Sequence, residues 1–224
     1  MITIKKELPS GLNLHILVLG KKEQPDQSTD PAVIKKLVSQ HTHIVPDRIY
    51  LLNQVHGDKV VAAQGHEIQE ADGLYTTDTD RVLVVKTADC MPVFIWSENR
   101  PLLAMIHTGW KGLKLEIVEK FLRQNQLLAE QLSLFVGPCI SQNEYEIGRE
   151  VAARFSGSPA LKTKNEEKSE LDLAAHLRFQ LKNLPLFYQS SGYCCKKSPD
   201  FFSHRAGDTG RNLNCIWLSR EPSK

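Results

Sequence analysis

Two histidines and a cysteine stand where a metal could be held. His56 lies in NQVHGDKV, Cys90 in KTADCMPVFIW and His107 in AMIHTGWKG. Both histidines sit by glycine at strand-to-turn junctions, and Cys90 follows a β-branched run. The separations are too long for a zinc finger, but catalytic metal ligands commonly come from the ends of separate strands. Two imidazoles and a thiolate suit zinc and leave a fourth position open. The same residues suit a second chemistry, in which Cys90 is a thiolate nucleophile and His107 its general base. Both arrangements need the groups in contact, so spacing alone does not separate them.

Around this set lie residues that could support it. Asp72 in ADG and Asp89 beside Cys90 are placed to orient a ligand histidine or act as a base. Their plainer readings are a turn residue and a strand-end cap. Arg205 and Arg211 in SHRAGDTGR, with Lys111 beside Trp110, are candidate anion binders. The alternative for them is a basic surface loop. Trp110 could stack on a base or fill the core. Glu146 in YEIG falls at a predicted helix start, where the helix dipole also favours a carboxylate.

These residues need a frame. Leu12 to Leu19 reads as a strand, and Asp30-Pro31 as the N-cap and first residue of a helix through about His41. Short strands are expected at 48–52 and 59–63, around His56-Gly57-Asp58. Buried strands are expected at 81–87, 93–96 and 102–106. An amphipathic helix is predicted over 111–129, from Leu113, Ile117, Val118, Phe121 and Leu122. A strand follows at 133–136, then helices at 144–155 and 171–184, with a solvated lysine-rich loop at 156–169. Residues 212–218 read as a closing strand. No internal repeat or linker is visible, so one mixed α/β domain over 1–224 is expected.

Composition narrows the class. The chain has 224 residues, 41% hydrophobic and 24% charged, which suits a folded globular domain. Its 28 basic and 26 acidic residues give a formal charge of +2, no argument for nucleic acid as a partner. No apolar run spans a bilayer, and the N-terminus lacks the apolar core of a secretory signal. A cytoplasmic protein, monomer or homodimer, is the expectation. Five cysteines without a C-x-x-C are no disulfide framework, and adjacent Cys194 and Cys195 read as reduced thiols pointing opposite ways along a strand.

Taken in order, NQVHG, ADGLYT, TADCMPV, IHTGWKG, VGPCI with YEIG, and FFSHRAGDTGRNLNCIWL resemble the bacterial laccase-domain (multicopper polyphenol oxidoreductase, YfiH-type) family from about residue 48 to 218. The resemblance implies metal ligands at His56, Cys90 and His107, and an α+β fold built as an α/β/β/α sandwich similar to toxin deamidases. It implies a zinc-dependent purine nucleoside phosphorylase acting on adenosine, inosine and methylthioadenosine, with adenosine deamination and with phosphate as co-substrate. Copper is the alternative metal. A Cys-His hydrolase, a peptidoglycan-precursor editing factor, a copper polyphenol oxidase and a non-catalytic binding module are the other readings. A multicopper oxidase needs about ten histidines, mostly in H-x-H pairs. This chain has eight histidines and one such pair, His41-Thr42-His43. The chain departs from the family at its N-terminal segment. A lysine-rich stretch replaces the usual H-V-G-D, and the first helix lacks the usual N-R, with Lys35 or Lys36 as the only substitutes. Lys111 stands where Arg is commoner.

Overall fold

The structure, a computed structural model, describes residues 1–24, 27–65, 67–128 and 132–220. Its strands are β1 (Ile2–Glu7), β2 (Leu12–Leu19), β3 (Ile49–Tyr50), β4 (Leu52–Asn53), β5 (Val60–Ala62), β6 (Gln69–Glu70), β7 (Gly73–Thr76) and β8 (Val82–Thr87). They continue as β9 (Met91–Ser97), β10 (Leu103–Thr108), β11 (Leu132–Val136), β12 (Glu146–Gly148), β13 (Leu161–Thr163), β14 (Lys168–Leu171), β15 (Leu186–Ser190) and β16 (Asn212–Arg220). The helices are α1 (Pro31–Thr42), α2 (Trp110–Lys114), α3 (Ile117–Gln124), α4 (Arg149–Ala152) and α5 (Leu173–Gln180). The fold is mixed α+β with several sheets and few helices.

Two sheets carry most of the chain. One has the order β1-β2-β16-β8-β3 and the other β15-β11-β9-β10-β7-β5. Alternation along each strand sends one row of side chains inward. Leu14, Ile16, Leu83, Val85 and Ile216 of the first sheet meet Phe94, Leu103, Met105 and Phe135 of the second. The opposite row of the first sheet, including Val82, Val84, Leu213 and Cys215, packs on Ile34 and Val38 of α1. The outer face of the second, with Val93, Ile95 and Leu134, packs on α3 and α5 through Val118, Phe121 and Leu177. Helices thus cover both outer faces of a face-to-face sheet pair. Among the described residues no helix is long and apolar enough to cross a membrane.

Local expectations met four outcomes. The α1 start holds: the Asp30 side chain accepts from the Ala32 N–H at 2.7 Å with Pro31 at the first turn. The helix expected over 111–129 is two helices, because Glu116 takes a left-handed φ of 57° between α2 and α3; residue 129 lies outside the described residues. The helix expected at 144–155 is broken into a 3-10 turn, β12, α4 and a second 3-10 turn. The expected loop at 156–169 holds β13 and the start of β14, which join β12 in a small three-stranded sheet. Its strands are short and rich in lysine and glutamate, so they lack the apolar alternation by which strands are read.

All five cysteines are free thiols. Cys194 is half-buried and Cys195 buried. They are not in a regular strand: Cys194 makes an isolated bridge to Cys139 and the chain then turns.

Candidate metal centre

The strands around 56, 90 and 107 end together. β10 pairs with β9 so that His107 faces Pro92 and Thr108 faces Met91. This register sets His107 beside the start of β9, where Cys90 stands. β5 and β7 pair in parallel, with Val60 opposite Gly73. The backbone N–H of Asp72 donates to the Lys59 carbonyl and that of His107 to the Asp72 carbonyl. The turn carrying His56 is thereby tied through Asp72 to β10. Short strands at 49–53 and 60–62 do flank His56, but they pair with β8, β6 and β7 rather than with each other.

The outcome is one compact group. A ligand nitrogen from each of His56 and His107 and the Cys90 sulfur all lie within 4.8 Å of one another. The two imidazoles meet edge to face, with centroids 4.8 Å apart. His107 is buried, Cys90 half-buried and His56 exposed, so the group opens to solvent on the His56 side. Around one zinc ion, with bonds of about 2.0–2.3 Å, such atoms stand about 3.5 Å apart, a small side-chain adjustment from this arrangement. The donor set therefore fits a metal of the zinc or copper type. Among the described residues no other group of three His, Cys, Asp or Glu converges in this way.

Asp72 organises the group. It is completely buried, and its Oδ1 lies 2.8 Å from His107 Nδ1. The same carboxylate accepts from the backbone N–H groups of His56 at 3.0 Å and Gly57 at 2.6 Å. Burial opposes its charge, yet these bonds and the His107 charge hold its carboxyl below the usual carboxylate range. With Nδ1 engaged, His107 offers Nε2 to the centre. The turn-residue reading of Asp72 is thus too small.

The cysteine is electrostatically prepared. Burial pushes its thiol up, but hydrogen bonds and charge from His107 and His56 outweigh that and bring it to about 6. His107 is raised to about 9 against its own burial, first by Asp72 and then by Cys90. Gly109 makes room: a Cβ there would stand 2.9 Å from Cys90 Sγ. Glycine is required for this close approach, and sequence inspection did not single it out.

The remaining candidates divide. Asp89 is buried with a left-handed φ of 80°, and its Oδ2 accepts from the Arg205 backbone N–H at 2.7 Å. Its Oδ1 is buried and has no hydrogen-bond partner among the described residues. Arg205 donates from Nη2 to the Glu146 carbonyl at 2.8 Å, and its guanidinium lies 5.1 Å from the Tyr145 ring centroid. Burial first, and then the charge of Cys90, push the Tyr145 hydroxyl up to about 12. Trp110 is half-buried, with Lys111 Nζ at 5.8 Å and the Arg154 guanidinium at 5.9 Å from its ring centroid.

Glu146 is a correction. It lies in β12 rather than at a helix start, and its carboxylate pairs with Lys164 at 3.3 Å and Lys168 at 2.6 Å. Only its carbonyl joins Arg205. Arg211 spends its Nη1 on the carbonyls of Thr209 and Gly210, both at 2.8 Å. On α1, Lys35 is half-buried and Lys36 exposed.

Residues 15–219 match the family described as multi-copper polyphenol oxidoreductase laccase. The chain is 32% identical over 205 residues to a purine nucleoside phosphorylase of Deinococcus radiodurans, covering 87% of this chain and 81% of that one. It is 30% identical over 190 residues to a purine nucleoside phosphorylase of Corynebacterium glutamicum, covering 79% and 76%. In fold it is similar to the Neisseria meningitidis protein NMB0706, with a TM-score of 0.81, 24% identity and coverage of 97% and 98%. YlmD from Geobacillus stearothermophilus is similar too, with a TM-score of 0.77, 21% identity and coverage of 95% and 93%. The match spans nearly the whole chain and includes the His-Cys-His group, and the protein belongs to the multi-copper polyphenol oxidoreductase laccase family.

Proposed function

We propose that this chain is a zinc-dependent purine nucleoside phosphorylase acting on adenosine, inosine and methylthioadenosine, with adenosine deamination as a further activity. The observation that carries the reading is the convergence of His56, Cys90 and His107 within 4.8 Å, in a chain whose relatives bear that enzyme name. The sandwich similar to toxin deamidases belongs to the same reading, as does a cytoplasmic location.

His56, Cys90 and His107 would hold the ion, and a bound zinc supplies Lewis acidity toward an oxygen ligand. One three-ligand group among the described residues argues for one ion rather than the several coppers in the family's description. Copper remains the competing occupant, since the site's donors are soft enough to bind it tightly.

The protein's own groups do the rest. Asp72 keeps the Nδ1 proton of His107 and fixes the ring, while anchoring the backbone of His56. His107 gives up its Nε2 proton when it ligates. Arg205, whose backbone N–H is held by Asp89 next to Cys90, would supply cationic charge to an oxyanion, with Lys111 beside Trp110 as the second candidate. Trp110 and Tyr145 offer aromatic faces for a purine.

The test is phosphate-dependent release of free base from inosine, adenosine and methylthioadenosine by metal-quantified protein, with Cys90→Ala alongside. Base and sugar phosphate from the wild type alone support the reading. A Cys90→Ala protein with full zinc and full turnover overturns it.

One observation favours a second reading. Without metal, Cys90 near 6 and His107 near 9 form a thiolate–imidazolium pair across neutral pH, the requirement of a Cys-His hydrolase. That reading predicts amide hydrolysis by protein stripped of zinc.

A further inference from the structure

Three of the five cysteines meet where two segments of the chain run side by side. The Cys139 N–H donates to the Tyr193 carbonyl at 3.3 Å, and the Cys195 N–H donates to the Cys139 carbonyl at 2.9 Å. These two bonds bracket Cys194 and set it directly opposite Cys139 in a parallel bridge. Segments joined in this way run about 4.8 Å apart, inside the roughly 4.4–6.8 Å between Cα atoms that a disulfide spans. Adjacent side chains of an extended segment point to opposite sides. Cys195 is buried between the two large sheets, in the cluster that holds Phe94 and Phe201, whereas Cys139 packs against the cluster on the outer face of the second sheet. Cys194 therefore shares the side of Cys139. Its sulfur leans onto the same segment, accepting from the Ser141 hydroxyl at 3.1 Å and the Ser141 N–H at 3.4 Å.

The three thiols differ in chemistry. Burial above all pushes Cys195 up to about 12 and Cys139 well above the usual thiol range, so both stay protonated. Cys194 is half-buried and moves the other way. Burial opposes its charge, but the Ser141 hydroxyl and the backbone N–H groups of Ser141, Lys197 and Lys196 all donate to the sulfur and hold its thiol below the usual range. A partly accessible sulfur with this many donors is the nucleophile of the three, and a protonated thiol stands opposite it.

We propose that Cys194 is a site of oxidation by hydroperoxides and that Cys139 is its resolving thiol. The Cys194 thiolate attacks one oxygen of the hydroperoxide. The O–O bond breaks, the other oxygen leaves with a proton from solvent as water or an alcohol, and Cys194 becomes a sulfenic acid. Cys139 then attacks the Cys194 sulfur, the S–O bond breaks, and the departing hydroxide takes up the Cys139 proton as water. Two thiols lose two electrons in all, and the hydroperoxide gains them. The Ile140 N–H, one residue beyond Cys139, donates to the Asp89 carbonyl at 3.0 Å, so the bond would form next to a segment fastened to the neighbour of Cys90. Oxidation here needs neither a metal nor a nucleoside.

The experiment treats the full-length protein, with bound metal retained, with hydrogen peroxide at neutral pH, blocks the remaining thiols by alkylation and maps the peptides by mass spectrometry. The expected product is a Cys139–Cys194 peptide pair that a thiol reductant separates. It is expected to form about tenfold or more faster than the fully buried Cys215 is oxidised. Cys139→Ser is expected to stop at a Cys194 sulfenic acid, captured by dimedone, and Cys194→Ser to yield no disulfide. A Cys194 that reacts no faster than Cys215, a bond from Cys194 to another cysteine, or a sulfenic acid that persists on Cys194 of the wild type overturns the assignment. The wild-type map decides by itself, so a variant that fails to fold does not leave the question open.

Discussion

Asp72 Oδ1 and His107 Nδ1 lie 2.8 Å apart in the protein interior, and the same carboxylate also accepts from the amides of His56 and Gly57. One side chain therefore sets the ring of one prospective ligand and the backbone of another. Carboxylates in this position orient a ligand imidazole and raise its basicity.

Replacing Asp72 by Asn keeps its size but removes its charge and part of its accepting capacity. Zinc affinity is expected to fall about 10- to 100-fold, measured by competition with a chelating dye. Unchanged affinity in a folded Asp72→Asn protein would remove Asp72 from the centre.

Gly109→Ala places a methyl group 2.9 Å from Cys90 Sγ. The crowding is expected to cost about 1–3 kcal/mol of stability and to lower zinc per chain. Denaturant unfolding and metal analysis check both, and a variant with full stability and full zinc contradicts the close approach.

Alkylation of metal-free protein reads the thiol directly. A thiol lowered to about 6 is thiolate from that pH upward, so carboxymethylation of the Cys90 peptide is expected to reach half its maximal rate near pH 6. An ordinary thiol does so near pH 8.5. The proton lost by His107 near pH 9 comes after the thiolate has formed, and the rate holds its plateau. His107→Ala is expected to move the midpoint upward, and zinc to protect the peptide. A midpoint near 8.5 in wild type would contradict the pairing of Cys90 with the histidines.

Stability rests on the seam between the sheets. Phe94 is fully buried and its ring centroid lies 5.6 Å from that of Phe135. Phe94→Ala is expected to cost about 3–5 kcal/mol in chemical denaturation, and a loss below 1 kcal/mol would place the core elsewhere.

What the sequence disclosed followed from how local each signal was. His56, Cys90 and His107 announced themselves by type and by position beside strand ends. The long strands β2, β8, β9 and β10 were legible because burial on both faces writes near-continuous apolar runs. Asp72 was ambiguous, since its partners come from a turn and a strand distant in the chain. Gly109 gave no signal, because what distinguishes it is the Cys90 sulfur beside it. The broken helix at 144–155 misled for a related reason: the pairing of Glu146–Gly148 with β14 overrides local helical preference.

The last of the described strands in chain order is an interior one. β16 lies between β2 and β8, pairing Leu213 with Leu19 on one side and Lys86 on the other. During translation β2 and β8 emerge long before the strand that joins them, so a nascent chain carries two open apolar edges until residues 212–220 leave the ribosome. Loss of those residues would not merely trim the protein; it would leave its first sheet in two pieces, a substrate for chaperones and proteases rather than a shortened fold.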